Sequence, residues 1–274
     1  MGRLTIIVSV SCWIAWAGHG WSAETLKSGG AGVERPVEGL DVDRVLDKVR
    51  QAAKDLQSYQ CRIDYRVRQP LLESETRRAG DMVYLRQAKG SRLRVNFETL
   101  QQDQDPPQPH VEQFLFDGVW LTQVDHTIKT VTKRQMADPN KPADAFDLAS
   151  RDLPIVGFTG VEDLGRDFEI RILPPLSGQK APGVIRLSLK ARPESRFYET
   201  YRSITFGVDP ELWLPAQVEA ESAEGDIHQV SFIRAKVNQR VDEAVFDLKI
   251  PQGFGEPEII PLEAERGTDS PPVP

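Results

Sequence analysis

The side chains that most often carry out catalysis are scattered in this sequence. Beyond the N-terminal segment the histidines are His110, His126 and His228, at wide and unequal spacing. A metal site built from them would need carboxylates nearby, and no spacing in the chain supplies those. Acidic residues such as Asp152 are plentiful, but no spacing singles out a carboxylate pair for general acid and base catalysis. We therefore interpret these residues as turn and surface residues.

Short catalytic motifs are also absent from the sequence. The chain contains no HExxH, CxxC, glycine-rich phosphate loop or GxSxG elbow. Cys61 lies among alternating apolar residues, which predicts a small buried side chain, and a reactive thiol is the alternative. We expect a protein that is not an enzyme and that holds no metal ion or cofactor.

Composition narrows the class of protein further. A net charge of −7 argues against nucleic-acid binding, because neutralising phosphates requires a basic face. Hydrophobic residues make up 39% of the chain and charged residues 27%, as is usual for a soluble globular protein. Twenty glycines and twenty prolines favour strands and turns over a helical bundle.

The N-terminus has the pattern of an export signal. Arg3 precedes an apolar run from Leu4 to Ala17, and Trp21-Ser22-Ala23 is a plausible cleavage site. Residues 1–23 are therefore predicted to be a signal peptide, and a retained membrane anchor is the alternative. The apolar run is shorter than the ~20 residues that a membrane span needs. We expect a flexible linker at 24–38, one domain at 39–262 and a disordered tail at 263–274.

The elements that must position any functional side chain are mainly strands. Apolar and polar residues alternate over Arg92–Glu98 and Tyr59–Arg68, as is typical of half-buried antiparallel strands. Asp117-Gly118 lies between two apolar runs and predicts a hairpin with a type I′ turn. An amphipathic helix is predicted after Asp41, its N-cap. With about ten strands at regular spacing, the domain is α+β and dominated by one antiparallel sheet or partial barrel.

Two further segments carry specific expectations. The alternation over Val245–Pro251 predicts a last strand near the end of the domain. Residues 101–110, QQDQDPPQPH, are predicted to form a long polar insertion where a tight turn would be expected. A short amphipathic helix is predicted after Pro142, at residues 143–153.

The order of motifs resembles that of a known family. SYQCRIDYRV is followed by GDMVYLR, FDGVWL, DPELWLPAQVE and VFDLKIPQGF. This order is similar to that of the outer-membrane lipoprotein carrier family (LolA, LolB and relatives), over roughly residues 40–255. The resemblance implies a single curved antiparallel sheet that forms an unclosed β-barrel, with the N-terminal helix and the mid-chain helix lying across its mouth as a lid. Its cavity would receive the acyl chains of a lipoprotein.

The resemblance also implies roles for particular residues. Arg86, in GDMVYLR, falls where such carriers have an arginine that helps to hold the lid closed. Gln87 replaces the proline that usually follows, and a plain surface arginine is the alternative. Apolar residues of the predicted strands and turns are candidates to line the cavity, and for each of them core filling is the alternative. These candidates are Tyr65, Met82, Tyr84, Leu93, Val95, Phe97, Phe114, Phe116, Trp120, Phe206 and Trp213.

The function predicted on this basis is that of a periplasmic carrier for lipoprotein acyl chains or other hydrophobic cargo. Its partners would be those acyl chains and transfer proteins of the inner and outer membranes, and the carrier itself would be a monomer. The alternative is an envelope sensor or protein-interaction module that uses the same half-barrel without transferring cargo, as in the related domain of the periplasmic regulator of anti-sigma factors.

Overall fold

The computed structural model describes residues 41–152, 164–174 and 183–262. The predicted signal peptide, linker and C-terminal tail lie outside the described residues. No helix within the described ranges combines the length and apolar character needed to cross a membrane.

Twelve strands form one sheet. In chain order they are Ser58–Gln69 (β1), Ser74–Arg86 (β2), Ser91–Gln102 (β3), Gln108–Phe116 (β4), Trp120–Asp125 (β5), Thr130–Gln135 (β6), Phe168–Ile172 (β7), Ile185–Ala191 (β8), Tyr201–Val208 (β9), Pro215–Ser222 (β10), Ile227–Val237 (β11) and Glu258–Ile260 (β12). The α-helices are Val42–Lys54 (α1), Ala145–Asp152 (α2) and the single turn Leu164–Asp167 (α3). Short 3₁₀ helices cover Pro70–Leu72 and Glu243–Phe246.

The strands lie side by side in the order β12-β6-β5-β4-β3-β2-β1-β11-β10-β9-β8-β7. Every neighbouring pair is antiparallel except β12 and β6, which are parallel. Within the described residues the first and last strands of this order do not pair with each other, so the sheet is curved but unclosed. The predicted α+β half-barrel is therefore confirmed. Twelve strands form where about ten were predicted, in part because the three-residue β12 is too short to show an alternation pattern.

The register sorts side chains onto two faces. Residues opposite one another in neighbouring strands point to the same side of a sheet. Tyr59, Tyr84, Leu93, Phe116 and Leu121 form one such row across β1 to β5, and all five belong to or pack against the main hydrophobic core. We call this side the concave face, and the opposite side the outer face.

Helix α1 packs on the concave face. Asp41 caps its N-terminus by accepting a 2.7 Å hydrogen bond from the Arg44 main-chain nitrogen, as its sequence predicted. The apolar stripe, with Val45 and Val49 at 0% exposure, joins the core under the sheet. The body of α1 contacts β7, and its C-terminus reaches the end of β2. The helix thus links the far edge of the sheet to its centre.

The segment after β11 does not form the predicted strand over Val245–Pro251. Its first part is the 3₁₀ helix that contains Phe246, which is buried against the outer face. The Arg94 guanidinium of β3 donates to the Val245 carbonyl oxygen. Further along, the Phe254 ring lies 5.3 Å from the His126 ring in an edge-on contact. The segment therefore crosses the outer face from β11 to β12.

Two connections also differ from prediction. The hairpin at Asp117-Gly118 is present, but only Gly118 has positive φ, at 101°, so the turn is not type I′. The Asp117 carboxylate instead accepts hydrogen bonds from the Val119 and Trp120 main-chain nitrogens. The predicted insertion at 101–110 is a five-residue loop, 103–107, because β3 and β4 both extend into it.

Candidate functional site

The concave face brings together most of the apolar residues predicted to line a cavity. On β1 to β4 and on β9, register places their side chains on this face. These residues are Tyr65, Met82, Tyr84, Leu93, Val95, Phe97, Phe114, Phe116 and Phe206. Trp213 lies instead in the turn before β10, where its ring packs against the core and carries the Lys48 ammonium of α1 4.2 Å above its centre.

Trp120 is not on the concave face. Phe116 pairs with Leu121, so the alternating Trp120 points to the outer face, opposite Gln135. It does not belong to the main core cluster among the described residues. The assignment of Trp120 to the cavity is therefore corrected: Leu121 occupies the inward position of β5.

The concave-face residues fall into two groups by exposure. Met82, Tyr84, Phe97, Phe116 and Phe206 are at most 7% exposed and act as core residues. A second group is only partly buried and packs against that core: Tyr65, Leu93, Val95, Phe114 and Trp213. The second group is the part of the predicted lining that is not fully buried.

Four rings form a row across the concave face. The Phe114 and Phe97 ring centres are 6.2 Å apart, and Phe97 and Tyr65 are 6.5 Å apart. Tyr65 continues to His228, at 6.2 Å between ring centres, with a 2.9 Å hydrogen bond between the Tyr65 hydroxyl and His228 Nδ1. Strand β2, between β1 and β3, contributes no side chain to the row because Gly80 is its residue opposite Phe97. The row therefore crosses five neighbouring strands, in the order β4, β3, β2, β1 and β11, and β2 contributes only the glycine.

Burial sets the charge state of this row. Burial raises the pKa of Tyr65 to about 12, although the Arg78 guanidinium opposes the shift. Burial also lowers the pKa of His228 below its ordinary value, with Asp226 acting in the opposite direction. Both rings are therefore neutral at pH 7.

A buried ion pair lies beside the aromatic row and was not predicted from the sequence. Arg78 is opposite Tyr65, and Glu112 is opposite Phe97. Arg78 is 8% exposed and Glu112 is 1% exposed. The signal for Glu112 was available: it continues the inward alternation of Phe114 and Phe116, which places a carboxylate on the apolar face.

The helices are attached to the sheet through Arg86, at the end of β2. Its guanidinium donates to the main-chain oxygens of Lys54 at 2.8 Å and Ala53 at 3.1 Å, at the C-terminus of α1. It also donates to the Tyr84 hydroxyl at 3.3 Å. That hydroxyl donates to the Asp144 carboxylate at 2.6 Å, and Asp144 accepts from the Phe146 nitrogen at the start of α2.

This network joins both helices to one strand end. The resemblance in motif order implied a role for Arg86 in holding the lid, and its contacts lie between β2 and α1. The Tyr84 ring adds an apolar contact to the same junction, since it stacks on Phe146 of α2 with 4.3 Å between centres. Arg86 thus anchors the C-terminus of α1 to the end of β2. Its role as a latch for a lid is a proposal.

The described parts of the chain contain no group of three or more histidine, cysteine or acidic residues that could hold a metal ion. Cys61 is a buried free cysteine, and burial raises the pKa of its thiol to about 12. A thiol with so high a pKa is a poor nucleophile at pH 7.

Comparison with known proteins gives similarity in structure alone. No family model matches the sequence, and no curated protein matches it significantly. Solved structures do match. An uncharacterized conserved protein from Thermus thermophilus is 10% identical, with a TM-score of 0.45, over 80% of this chain and 98% of that chain.

The similar structures include the family indicated by the motif order. A LolA superfamily protein, NE2245 from Nitrosomonas europaea, is 12% identical, with a TM-score of 0.30, over 77% of this chain and 99% of that chain. The MucA/MucB complex of Pseudomonas aeruginosa contains a chain that is 12% identical, with a TM-score of 0.39, over 75% of this chain and 60% of that chain. At this level of identity the likeness concerns the fold.

Proposed function

We propose that the protein is a periplasmic, non-enzymatic carrier that binds acyl chains of lipoproteins or other hydrophobic cargo on its concave face. The observation that carries this proposal is the row of partly buried rings and aliphatic side chains on that face. Tyr65 and Phe114 are only partly buried, so the row offers apolar surface that an acyl chain could cover.

The size of the driving force fits such a role. Burying one CH₂ group contributes about 0.8 kcal/mol. To carry a long acyl chain through water between two membranes, a protein must therefore bury it with a gain on the order of 10 kcal/mol. A carrier must also release its cargo. Release is easier when part of the binding surface is shared with a movable cover, because the cover replaces the cargo as it leaves.

The two helices are the proposed cover. Their polar attachment through Arg86 and Tyr84 consists of a few hydrogen bonds at one strand end. The apolar stripe of α1 packs in the core, and in this proposal an acyl chain takes its place there. In this proposal α1 occupies the concave face until an acyl chain enters. Transfer proteins in the two membranes would then be the donor and acceptor of cargo.

Titration with a fluorescent fatty-acid probe tests the function directly. The wild-type protein should saturate, and Phe114→Asp should lose saturable binding because it places a charge in the ring row. Val111→Asp is the matched control, since Val111 is on the same strand but is 38% exposed on the outer face. Native mass spectrometry of protein purified from the envelope should show bound lipid. Equal probe binding by both variants would contradict an interior site.

One observation favours the interaction-module alternative. A cleft of about 420 Å³ lies on the outer face, between β1, β2, β3, β11 and the crossing C-terminal segment. Its lining includes the cations Arg62, Arg94, Arg234 and Lys236, against the single carboxylate of Asp81. Such a cleft suits an acidic peptide. A peptide that bound there with loss of affinity in Arg234→Ser, while lipid was never bound, would support the alternative.

A further inference from the structure

Arg78 and Glu112 form an ion pair whose hydrogen-bonding capacity is not used. The Nε atom of Arg78 lies 3.8 Å from Oε2 of Glu112, which is too long for a hydrogen bond. Both atoms are fully buried and have no hydrogen-bond partner in the described structure. The other carboxylate oxygen, Oε1 of Glu112, is satisfied by Gln123, which donates to it at 2.7 Å.

This arrangement leaves one buried donor and one buried acceptor unpaired, 3.8 Å apart. Leaving buried polar atoms unpaired is costly, so such atoms in proteins are normally paired with a side chain, a water or a ligand. A group that bridged the two atoms would have to accept from Arg78 Nε and donate to Glu112 Oε2 at once. A hydroxyl or an amide has both capacities, whereas an ester or an ionised carboxylate can only accept.

The position of the pair relates it to the aromatic row. Tyr65 is the register partner of Arg78, and Phe97 is the register partner of Glu112. The pair therefore lies at the level of the rings, with Val95 and Leu93 following along β3 toward the helices. An amphiphile with its polar end at the pair would place its chain along these side chains.

We propose that Arg78 and Glu112 bind the uncharged polar head of an amphiphilic ligand, a hydroxyl or amide next to an acyl chain, and select against anionic heads. The proposal rests on the proposed carrier function, since it names the class of cargo for the same site. No hydrogen bond to the described residues holds the Arg78 guanidinium, so in this proposal only its ion pair with Glu112 has to lengthen to admit the head group.

Charge supports a neutral head over an anionic one. Arg78 supplies one positive charge, which Glu112 already compensates at close range. An ionised carboxylate or phosphate that approached Arg78 would therefore face the like charge of Glu112 in a buried site, where repulsion is strong.

The experiment compares two probes that share one acyl chain. Binding of 1-monolauroylglycerol and of laurate is measured by titration calorimetry on the full chain at neutral pH. We expect the glycerol ester to bind about tenfold or more tightly than the anionic laurate. Tighter binding of laurate, or equal affinities, would overturn the proposal while leaving acyl binding intact. Binding of neither probe would overturn the carrier function and this inference with it.

Glu112→Gln provides the decisive variant because it removes one negative charge and keeps the shape. Arg78 is then uncompensated, and laurate should gain about tenfold in affinity relative to the glycerol ester. The control is Glu98→Gln, which makes the same charge change on the outer face of β3, where Glu98 pairs with Arg62. If both variants changed the ratio of the two affinities equally, or neither did, the pair would have no part in selection.

Should Glu112→Gln fail to fold, Gln123→Leu tests the same site more mildly. It removes the hydrogen bond that orients the carboxylate and leaves the charges in place. The preference for the glycerol ester should fall by several-fold as Glu112 loses its fixed position. An unchanged preference in a folded Gln123→Leu protein would contradict a role for the oriented carboxylate.

Discussion

The Arg86 guanidinium donates a 2.8 Å hydrogen bond to the main-chain oxygen of Lys54, so a strand end caps the C-terminus of the first helix. The last carbonyl groups of a helix have no partner within it and carry partial negative charge. The Arg86 cation donates hydrogen bonds to these carbonyl groups and stabilises the helix in its position. The position of α1 over the concave face thus depends on a side chain of the sheet.

Arg86→Met should loosen α1 before it affects the sheet. Hydrogen bonds to a charged donor contribute about 1.5–3 kcal/mol each when removed, and Arg86 is partly exposed, so a total loss of about 1–3 kcal/mol is expected. Hydrogen exchange over Val42–Lys54 should accelerate more than exchange in β1. Arg202→Met, at an exposed ion pair on β9, is the control and should change little. Equal acceleration in α1 and β1 would contradict the anchoring role.

Gly80→Ala should strongly destabilise the sheet. A Cβ at this position would lie 1.7 Å from the main-chain oxygen of Asn96, where the register of β2 and β3 shifts. Backbone cannot yield as a flexible side chain does, so we expect a loss of about 2 kcal/mol or more in urea unfolding. Gly165→Ala, which meets nothing within 4 Å in α3, is the control and should be neutral or slightly stabilising.

The free energy of unfolding should begin to fall at a lower pH than it would if the protein held only exposed tyrosines. The pKa of Cys61 is raised from 9.0 to about 12, and that of Tyr65 from 10.0 to about 12, in both cases mainly by burial. Below the pKa values of the unfolded chain, both groups are protonated in both states and contribute fully to the free energy of unfolding. As pH rises from there toward 12 this contribution is lost, because only the unfolded chain ionises in that window. Each group then costs about 1.4 kcal/mol per pH unit.

Urea unfolding between about pH 8 and pH 11 measures this slope. Cys61→Ala removes the group that titrates first, so its stability should stay level until about pH 10 and fall only then. The measurement uses the difference in onset between the two proteins, not their absolute stabilities. The same onset in both would mean that the thiol is not protected by the fold.

Much of the fold could be predicted because alternation is a local signal. Leu93, Val95 and Phe97 face inward as their spacing indicates, and the α1 stripe is buried. Trp120 could not be placed in this way because Val119, Trp120 and Leu121 are all apolar, and only the pairing of Phe116 with Leu121 decides the face. The segment at Val245 alternates like a strand but makes no strand pairing within the described sheet, and pairing is not a local property.

The ion pair was missed for a different reason. Charged residues in alternating strands were assigned to the solvent side, although Glu112 and Arg78 occupy the inward positions of β4 and β2. Their positions relative to Phe114 and Met82 would have identified them, because residues separated by an even number of positions in a strand point to the same face. What the sequence could not supply is the distance between the two side chains, since a bulge between Ala79 and Gly80 sets it.

The Tyr84 hydroxyl should couple the two helices energetically. It accepts from Arg86 and donates to Asp144, so it connects the α1 anchor to the first residues before α2. Tyr84→Phe keeps the ring stacked on Phe146 and removes only the hydroxyl, which should cost about 1–2 kcal/mol in urea unfolding. Tyr198→Phe is the control, because Tyr198 is 52% exposed, and it should have almost no effect.

A double-mutant cycle then tests whether the hydroxyl and Arg86 act as one unit. If both helices depend on the same chain of hydrogen bonds, Arg86→Met should cost less in the Tyr84→Phe background than in the wild type, by about 0.5 kcal/mol or more. Because residues in one network are non-additive, this difference reports the network and not the separate contacts. Strictly additive losses would mean that α1 and α2 are attached to β2 independently, and a concerted cover would then lose its physical basis.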